Sequence, residues 1–339
     1  MPTTCKVEFE NSPRKIVYSG QLLKGTCEIA FRVPKTLHGI YIRLKGSAYV
    51  QWKQGKRVIT GQETYIDELK YFVGGPRDEI HLQPGTYNYA FEFKMSESLP
   101  SSIEGRCGRI SYSAHVVFDS PGWTDKKFHI PFHVLNPISL NENLPLRQPV
   151  IVDKEQSIQP FYMVCCDSEL TNVSARIPVA GYAPGQTINI SVTCNNNSSQ
   201  PFYKFTAELL KEVTFYRHAG SSHDREEKSC IAKGMSSEGC EPKQVKTVGV
   251  SVDIPATVPS DIIHSNIVKI RYMLRVFGIT PLLFNSTKLI IPITIGTFIV
   301  RGGIPAKTDH PDYLNVPTIP IGVDNVISKQ PSASISEID

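Results

Sequence analysis

The chain has 339 residues, of which 40% are hydrophobic and 20% are charged, as in an ordinary soluble globular protein. Its 36 basic and 32 acidic side chains leave a net charge of +4, which gives no signal of nucleic-acid binding. The length is sufficient for two domains, each with a hydrophobic core.

The sequence predicts neither a signal peptide nor a membrane-spanning segment. After Met1 no basic region precedes an apolar stretch, so no signal peptide is predicted. The apolar stretch from Leu289 to Val300 is 12 residues long and contains Pro292, so it is too short to span a bilayer. We therefore expect a cytoplasmic protein.

The eight cysteines are scattered and form no Cys-x-x-Cys pair. In a protein that stays in the cytoplasm this pattern favours reduced thiols over disulfides or a zinc site. We expect no metal and no cofactor.

Apolar and polar residues alternate in several runs of the first half of the chain, at 40–52, 87–94, 110–118 and 128–134. This alternation predicts strands with one face in a core and the other in water. Turn residues such as Gly74-Gly75-Pro76 and Pro121-Gly122 separate the runs.

The same alternation resumes after a Pro- and Asn-rich stretch at 136–149, in runs at 188–194, 248–254, 268–276 and 289–295. The segment from Phe205 to Phe215 contains good helix formers, but its evenly spaced apolar residues also suit a strand, and we predict a strand. The polar segment from Arg217 to Gln244 is predicted to be a long connection at a sandwich edge, with a partner-binding loop as the alternative.

These patterns predict an all-β protein of two tandem immunoglobulin-like β-sandwiches. We place the first sandwich at 1–138, a linker at 139–150, the second sandwich at 151–298 and a short disordered tail at 299–339. The halves also repeat short motifs in the same order, with matched positions Gln21/Gln186, Phe93/Val252 and Ile110/Ile270 that are 165, 159 and 160 residues apart. One duplicated sandwich explains such offsets.

Several of these motifs resemble the arrestin domain-containing proteins, or α-arrestins. The first half contains Tyr18-Ser-Gly-Gln21, Gly46-Ser-Ala-Tyr-Val-Gln-Trp52, Gly85-Thr-Tyr-Asn-Tyr-Ala-Phe-Glu-Phe93 and Leu99-Pro-Ser-Ser102, followed by Gly108 and Ile110-Ser-Tyr112. The second half contains Gly181-Tyr-Ala-Pro-Gly-Gln186 and Pro292-Ile-Thr-Ile-Gly-Thr297. The resemblance covers roughly residues 5–298.

The resemblance implies a non-enzymatic trafficking adaptor with arrestin-like N-terminal and C-terminal domains. Such proteins bind membrane receptors or transporters and recruit HECT-type ubiquitin ligases, whose WW domains recognise Pro-Pro-x-Tyr motifs in the tail. Recruitment to the plasma membrane and endosomes, through the bound cargo, is also implied. A structural subunit of a retromer-like trafficking coat is the alternative.

The tail of this chain departs from the family pattern because it has no Pro-Pro-x-Tyr motif. The nearest match is His310-Pro311-Asp312-Tyr313, in which a histidine replaces one proline. A WW domain holds a proline in an aromatic groove and the tyrosine in a neighbouring pocket, so His310, Pro311 and Tyr313 form a degenerate candidate motif. Alternatively, Tyr313 packs on the second sandwich or has no partner.

Two groups of basic residues are candidate contacts for phosphate or acidic cargo. Arg14 and Lys15 lie near the first strands, and Lys53, Lys56 and Arg57 cluster in a hairpin after Trp52. Solvated surface charge is the alternative interpretation of both groups. No catalytic motif is present, and we predict that the chain is not an enzyme and has no catalytic residues.

Overall fold

The computed structural model describes residues 4–297 except 11, 13, 122–124, 159–169, 223 and 282–285. In this part of the chain the ordered elements are twenty strands and one short 3₁₀ helix, Leu144–Arg147. The strands form two β-sandwiches in succession, so the predicted all-β class of tandem sandwiches is confirmed.

The first sandwich comprises β1 (Thr4–Phe9), β2 (Ile16–Tyr18), β3 (Leu22–Phe31), β4 (Lys35–Leu37), β5 (Gly39–Gln54), β6 (Arg57–Gly74), β7 (Ile80–Leu82), β8 (Gly85–Lys94), β9 (Ile103–Glu104), β10 (Gly108–Asp119) and β11 (Lys126–Leu135). One sheet has the order β1-β3-β8, and the other has the order β2-β11-β10-β5-β6 with β9 beside β10. Strands β4 and β7 form a separate pair.

The second sandwich comprises β12 (Val150–Ser157), β13 (Leu170–Ile177), β14 (Gly181–Tyr182), β15 (Thr187–Asn196), β16 (Lys204–Tyr216), β17 (Asp224–Met235), β18 (Gln244–Asp253), β19 (Val268–Ile279) and β20 (Lys288–Ile295). Its sheets have the orders β12-β13-β15-β18 and β14-β20-β19-β16-β17.

The two larger sheets have the same topology. In each, a short strand pairs in parallel with the last strand of its sandwich, β2 with β11 and β14 with β20. The remaining pairs are antiparallel, from β11 through β10 and β5 to β6, and from β20 through β19 and β16 to β17. This correspondence agrees with the duplicated motifs in the sequence.

The alternating strands place their apolar faces between the two sheets of each sandwich. In the first, the Phe9 ring on β1 lies 5.7 Å from the Phe132 ring on β11, and Phe31 on β3 lies 5.5 Å from Phe118 on β10. In the second, Val192 and Val250 from one sheet share the buried core with residues such as Leu274 from the other.

Strand β16 confirms the prediction of a strand at Phe205–Phe215. It is a central strand between β19 and β17, where its helix-forming residues are held by pairing on both sides. By contrast, the prediction of a long connection at 217–244 is wrong. Strand β17 occupies 224–235 of that segment and pairs with β16 as the edge of its sheet.

The boundaries proposed for the linker and the tail remain predictions. Residues 299–339 lie outside the described part of the chain, so the expected disordered tail is untested.

Candidate partner-binding cleft

A cleft of about 420 Å³ opens on the outer face of the larger sheet of the first sandwich. Its floor is the end of β5, with Tyr49, Gln51 and Lys53, and its wall is the loop between β9 and β10. Alternation along β5 explains this placement, because Val50 and Trp52 are buried, whereas Tyr49, Gln51 and Lys53, which alternate with them, are exposed.

The loop between β9 and β10 is held by backbone hydrogen bonds on both sides. The amide of Gln51 donates to the carbonyl of Cys107 at 2.7 Å, and the amide of Gly105 donates to the carbonyl of Gly108 at 2.9 Å. The first bond fixes the loop against β5 and the second closes the loop itself, so the side chains of the loop line the cleft in a defined arrangement.

The charge of the cleft is mainly positive. Its lining residues include Lys53, Arg106 and Arg109 and one acidic residue, Glu104, so the formal charge is three minus one, or +2. Within the described residues none of the three basic side chains forms an ion pair. Unpaired cations beside Tyr49 and Trp52 suit an acidic or phosphorylated segment.

The cleft lies beside the contact between the two sandwiches. Glu227, on β17 of the second sandwich, accepts hydrogen bonds from the backbone amides of Arg106 at 3.2 Å and Cys107 at 2.7 Å. Burial, together with this carboxylate, raises the pKa of the Cys107 thiol. The second sandwich therefore holds the loop that carries Arg106.

A second carboxylate makes a reciprocal contact from the first sandwich. Glu63 on β6 accepts the backbone amide of Asn266 at 2.9 Å, the side-chain amide of Asn266 at 2.5 Å and the Ser265 hydroxyl at 3.1 Å. The Tyr65 hydroxyl lies 2.7 Å from the Ser265 hydroxyl, and burial raises the pKa of Tyr65. Each sandwich thus provides one carboxylate to the polar groups of the other.

Two glycines allow the backbones of the sandwiches to approach closely. A Cβ atom on Gly61 would lie 2.1 Å from the carbonyl oxygen of Arg217, and one on Gly108 would lie 2.9 Å from the ring of Phe215. Gly108 belongs to the motifs quoted above for the family resemblance, and the interface gives a physical reason for its presence.

The predicted basic residues do not form one cluster. Lys53 lines the cleft, and Lys56 and Arg57 lie at the adjacent hairpin turn between β5 and β6. Arg14 and Lys15 precede β2, which lies three strands from β5 in the sheet, or about 14 Å across. The contacts of all five with cargo remain a prediction.

Arg106 and Arg109 were missed by the sequence reasoning, although they flank Gly108 of a recognised motif. The segment Gly105-Arg-Cys-Gly-Arg109 contains both arginines, but only the pairing of the loop with β5 brings them beside Lys53.

The predicted WW-binding residues His310, Pro311 and Tyr313 lie outside the described residues. Among the described residues, no group of three or more His, Cys, Asp or Glu side chains has an arrangement suited to a metal ion.

Comparison with known proteins agrees with the fold. A model of the arrestin (or S-antigen) N-terminal domain matches residues 5–141, and a model of the arrestin (or S-antigen) C-terminal domain matches residues 167–299. The two sandwiches are therefore arrestin domains. The chain belongs to the α-arrestin family of arrestin domain-containing proteins.

Individual relatives show moderate identity. Arrestin domain-containing protein 1 of Rattus norvegicus is 25% identical over 210 residues, which are 61% of this chain and 47% of that protein. Arrestin domain-containing protein 17 of Caenorhabditis elegans is 26% identical over 266 residues, covering 74% of this chain and 61% of the relative. Thioredoxin-interacting protein of Sus scrofa is 24% identical over 312 residues, covering 88% and 75% respectively.

The matched region spans about half the length of the rat relative. The proteins of this family are generally non-enzymatic adaptors that bind other proteins. Within the described residues, no helix has the length and apolar character needed to cross a bilayer.

Proposed function

We propose that this chain is a cytoplasmic trafficking adaptor that binds acidic or phosphorylated segments of membrane receptors or transporters. The observation that carries the proposal is the cleft containing Lys53, Arg106 and Arg109, whose positive side chains have no ion-pair partner in the described part of the chain. Arginine binds carboxylate and phosphate through two parallel hydrogen bonds, and the aromatic side chains add apolar contact area.

The size of the cleft suits part of an extended peptide rather than a whole domain. A volume of about 420 Å³ is within the range of pockets that bind small ligands. We infer that a few residues of cargo enter it, with the phosphate or carboxylate beside Arg106 and Arg109. Lys56 and Arg57 lie at the hairpin turn, and we expect them to contact the flanking residues.

The binding test uses the full chain and a fluorescent peptide with acidic residues and one phosphoserine, measured by anisotropy. We expect Arg106→Ala and Arg109→Ala each to weaken binding by about tenfold, because a charged hydrogen bond contributes about 1.5–3 kcal/mol. Arg176→Ala is the matched control, since Arg176, like Arg109, is an exposed strand arginine but lies on β13 of the second sandwich. Equal affinity in all three variants would contradict the proposed site.

We also propose that the tail links cargo to ubiquitination and endocytic sorting through Pro311 and Tyr313, with His310 beside them. The support is the partial motif in the sequence, which retains one proline and the tyrosine that a WW domain recognises. A peptide of residues 304–320 should bind at least one WW domain of a HECT-type ligase, and Tyr313→Ala should abolish the binding. If the wild-type peptide also binds no WW domain, the adaptor lacks this route to a ligase.

A further inference from the structure

The structure brings together two cysteines that are far apart in the sequence. Cys5 lies on β1 and Cys27 lies on β3, and the two Sγ atoms are 3.7 Å apart. Strand pairing places Cys5 opposite Ile29 and Val7 opposite Cys27, so the two thiols are diagonal neighbours across the pair of strands. Both side chains are on the face that packs against the core.

The two thiols differ in accessibility and in acidity. Cys5 is partly exposed, whereas Cys27 is fully buried. The hydrogen bond from Cys27 lowers the pKa of Cys5, and the same bond together with burial raises the pKa of Cys27. Cys5 is therefore the thiol that an oxidant reaches first, and Cys27 is the buried thiol held beside it.

The other described cysteines lack this combination. Cys194 and Cys240 are both buried, which restricts the access of an oxidant to either one. Cys230 is exposed, but its thiol donates to the carbonyl of Ala232 rather than to another thiol. Cys107 is partly exposed and its pKa is raised.

We propose that Cys5 and Cys27 form a dithiol site that hydrogen peroxide oxidises to a disulfide between β1 and β3. The Cys5 thiolate attacks one peroxide oxygen, the O–O bond breaks, and Cys5 becomes a sulfenic acid while hydroxide leaves and takes up a proton to form water. The Cys27 sulfur then attacks the Cys5 sulfur and displaces a second water. In total, two thiols and one peroxide give one disulfide and two waters, with two electrons transferred to the peroxide.

The position of Cys5 makes closure of the bond feasible. A disulfide has an S–S length of about 2.05 Å, so the two sulfurs, now 3.7 Å apart, must approach further. Among the described residues, strand β1 lies at the edge of its sheet and pairs only with β3, and Cys5 is the second residue of that strand. An edge strand can move to bring the two sulfurs together more easily than a central strand can, because it has hydrogen bonds on one side only. The new bond would attach β1 covalently to its neighbour.

The test treats the full chain with peroxide, blocks remaining thiols with N-ethylmaleimide and digests it with trypsin without reduction. Cleavage after Lys6, Lys24 and Arg32 yields residues 1–6 and 25–32, and mass spectrometry detects their disulfide-linked product. We expect the link to form at least about tenfold faster in the folded chain than in urea, because the fold holds the thiols together.

Three variants complete the test. Cys5→Ser should abolish the link, and Cys230→Ser should leave it unchanged. Cys27→Ala should instead leave Cys5 as a sulfenic acid that dimedone traps. The proposal is overturned if peroxide oxidises Cys230 in the folded wild-type chain without producing the link, or if the link forms no faster than in urea. Both of these outcomes are measured on the wild-type chain, so they test the proposal even if a variant fails to fold.

Discussion

A buried tyrosine hydroxyl at the same place in both sandwiches ties a loop to a central strand. Tyr112 on β10 donates to the carbonyl of Pro100 at 2.7 Å, and Tyr272 on β19 donates to the carbonyl of Val258 at 2.6 Å. Burial raises the pKa of both hydroxyls, so both remain protonated donors at neutral pH. The two tyrosines occupy matched positions, two residues after Ile110 and Ile270. Each binds a Pro-Ser segment: Pro100 is the proline of Leu99-Pro-Ser101, and Val258 immediately precedes the proline of Val258-Pro-Ser260.

We expect Tyr112→Phe and Tyr272→Phe each to reduce the free energy of unfolding by about 1–3 kcal/mol, because each leaves a buried carbonyl without its donor. The loss should be larger for Tyr272, whose hydroxyl also lies 2.7 Å from the Thr257 hydroxyl. Urea unfolding of the full chain measures both values. Tyr203→Phe is the control, because Tyr203 is exposed. If Tyr112→Phe and Tyr272→Phe lose no more free energy of unfolding than this control, the two hydrogen bonds do not stabilise the fold as we propose.

Strand β16 shows how a central strand accommodates charged residues on its outer face. Glu208 is buried between β19 and β17, where its carboxylate contacts Arg275 on one side and lies 3.4 Å from the Lys233 ammonium on the other. Burial alone would raise the pKa of Glu208, but the hydrogen bonds and charges of Arg275 and Lys233 outweigh it and lower the pKa below its ordinary value. The ion pairs therefore join three adjacent strands.

Glu208→Gln should lower the free energy of unfolding at pH 7 by about 1–3 kcal/mol, because two cations lose a buried partner. A folded-state pKa below the unfolded value gives stability that is present above the unfolded pKa and is lost as the pH falls through the folded one. The difference between wild type and Glu208→Gln should thus shrink below about pH 4.

Urea midpoints measured in steps from pH 7 to pH 4 and below test this dependence. Glu238→Gln is the matched control, because Glu238 also pairs with a lysine but its side chain is 64% exposed. Exposed pairs contribute about 0–1 kcal/mol, so this variant should change little at any pH. If the free energy of unfolding lost in Glu208→Gln does not change with pH, the charge of Glu208 is not the cause of that loss.

At the scale of the whole molecule, the two sandwiches are joined by reciprocal carboxylate contacts rather than by a purely apolar interface. Glu63 binds Ser265 and Asn266 of the second sandwich, and Glu227 binds the loop of the first sandwich that lines the cleft. The arrangement of the two domains and the shape of the cleft therefore depend on the same set of polar contacts.

A double-mutant cycle on Glu63→Ala and Asn266→Ala should give a coupling energy of about 0.5–3 kcal/mol, because the two side chains contact each other directly. The measurement is the urea unfolding of the wild type, the two single variants and the double variant. The control is a second cycle that combines Glu63→Ala with Tyr203→Ala, and we expect its coupling energy to be near zero. Additive losses for the first pair would contradict the direct contact between the domains.

Much of the fold could be predicted from the alternation of apolar residues. The runs at 40–52 and 268–276 predicted β5 and β19, and the even spacing in 205–215 predicted β16 against its helix propensity. Strand β17 could not be predicted in this way, because both of its faces are largely polar and its residues show no alternation. Its strand conformation comes from pairing with β16, which is a tertiary effect.

The sequence alone determined the all-β class, the duplication and the family, because these depend on local alternation and on motifs that each sandwich carries complete. The hairpin cations Lys53, Lys56 and Arg57 were also recognisable, since they are close in the chain. Only the tertiary structure decided that Arg106 and Arg109 join Lys53, that Glu63 and Glu227 connect the domains, and that Cys5 lies beside Cys27. Each of these depends on strand pairing or domain contact between distant parts of the chain, which local sequence does not encode.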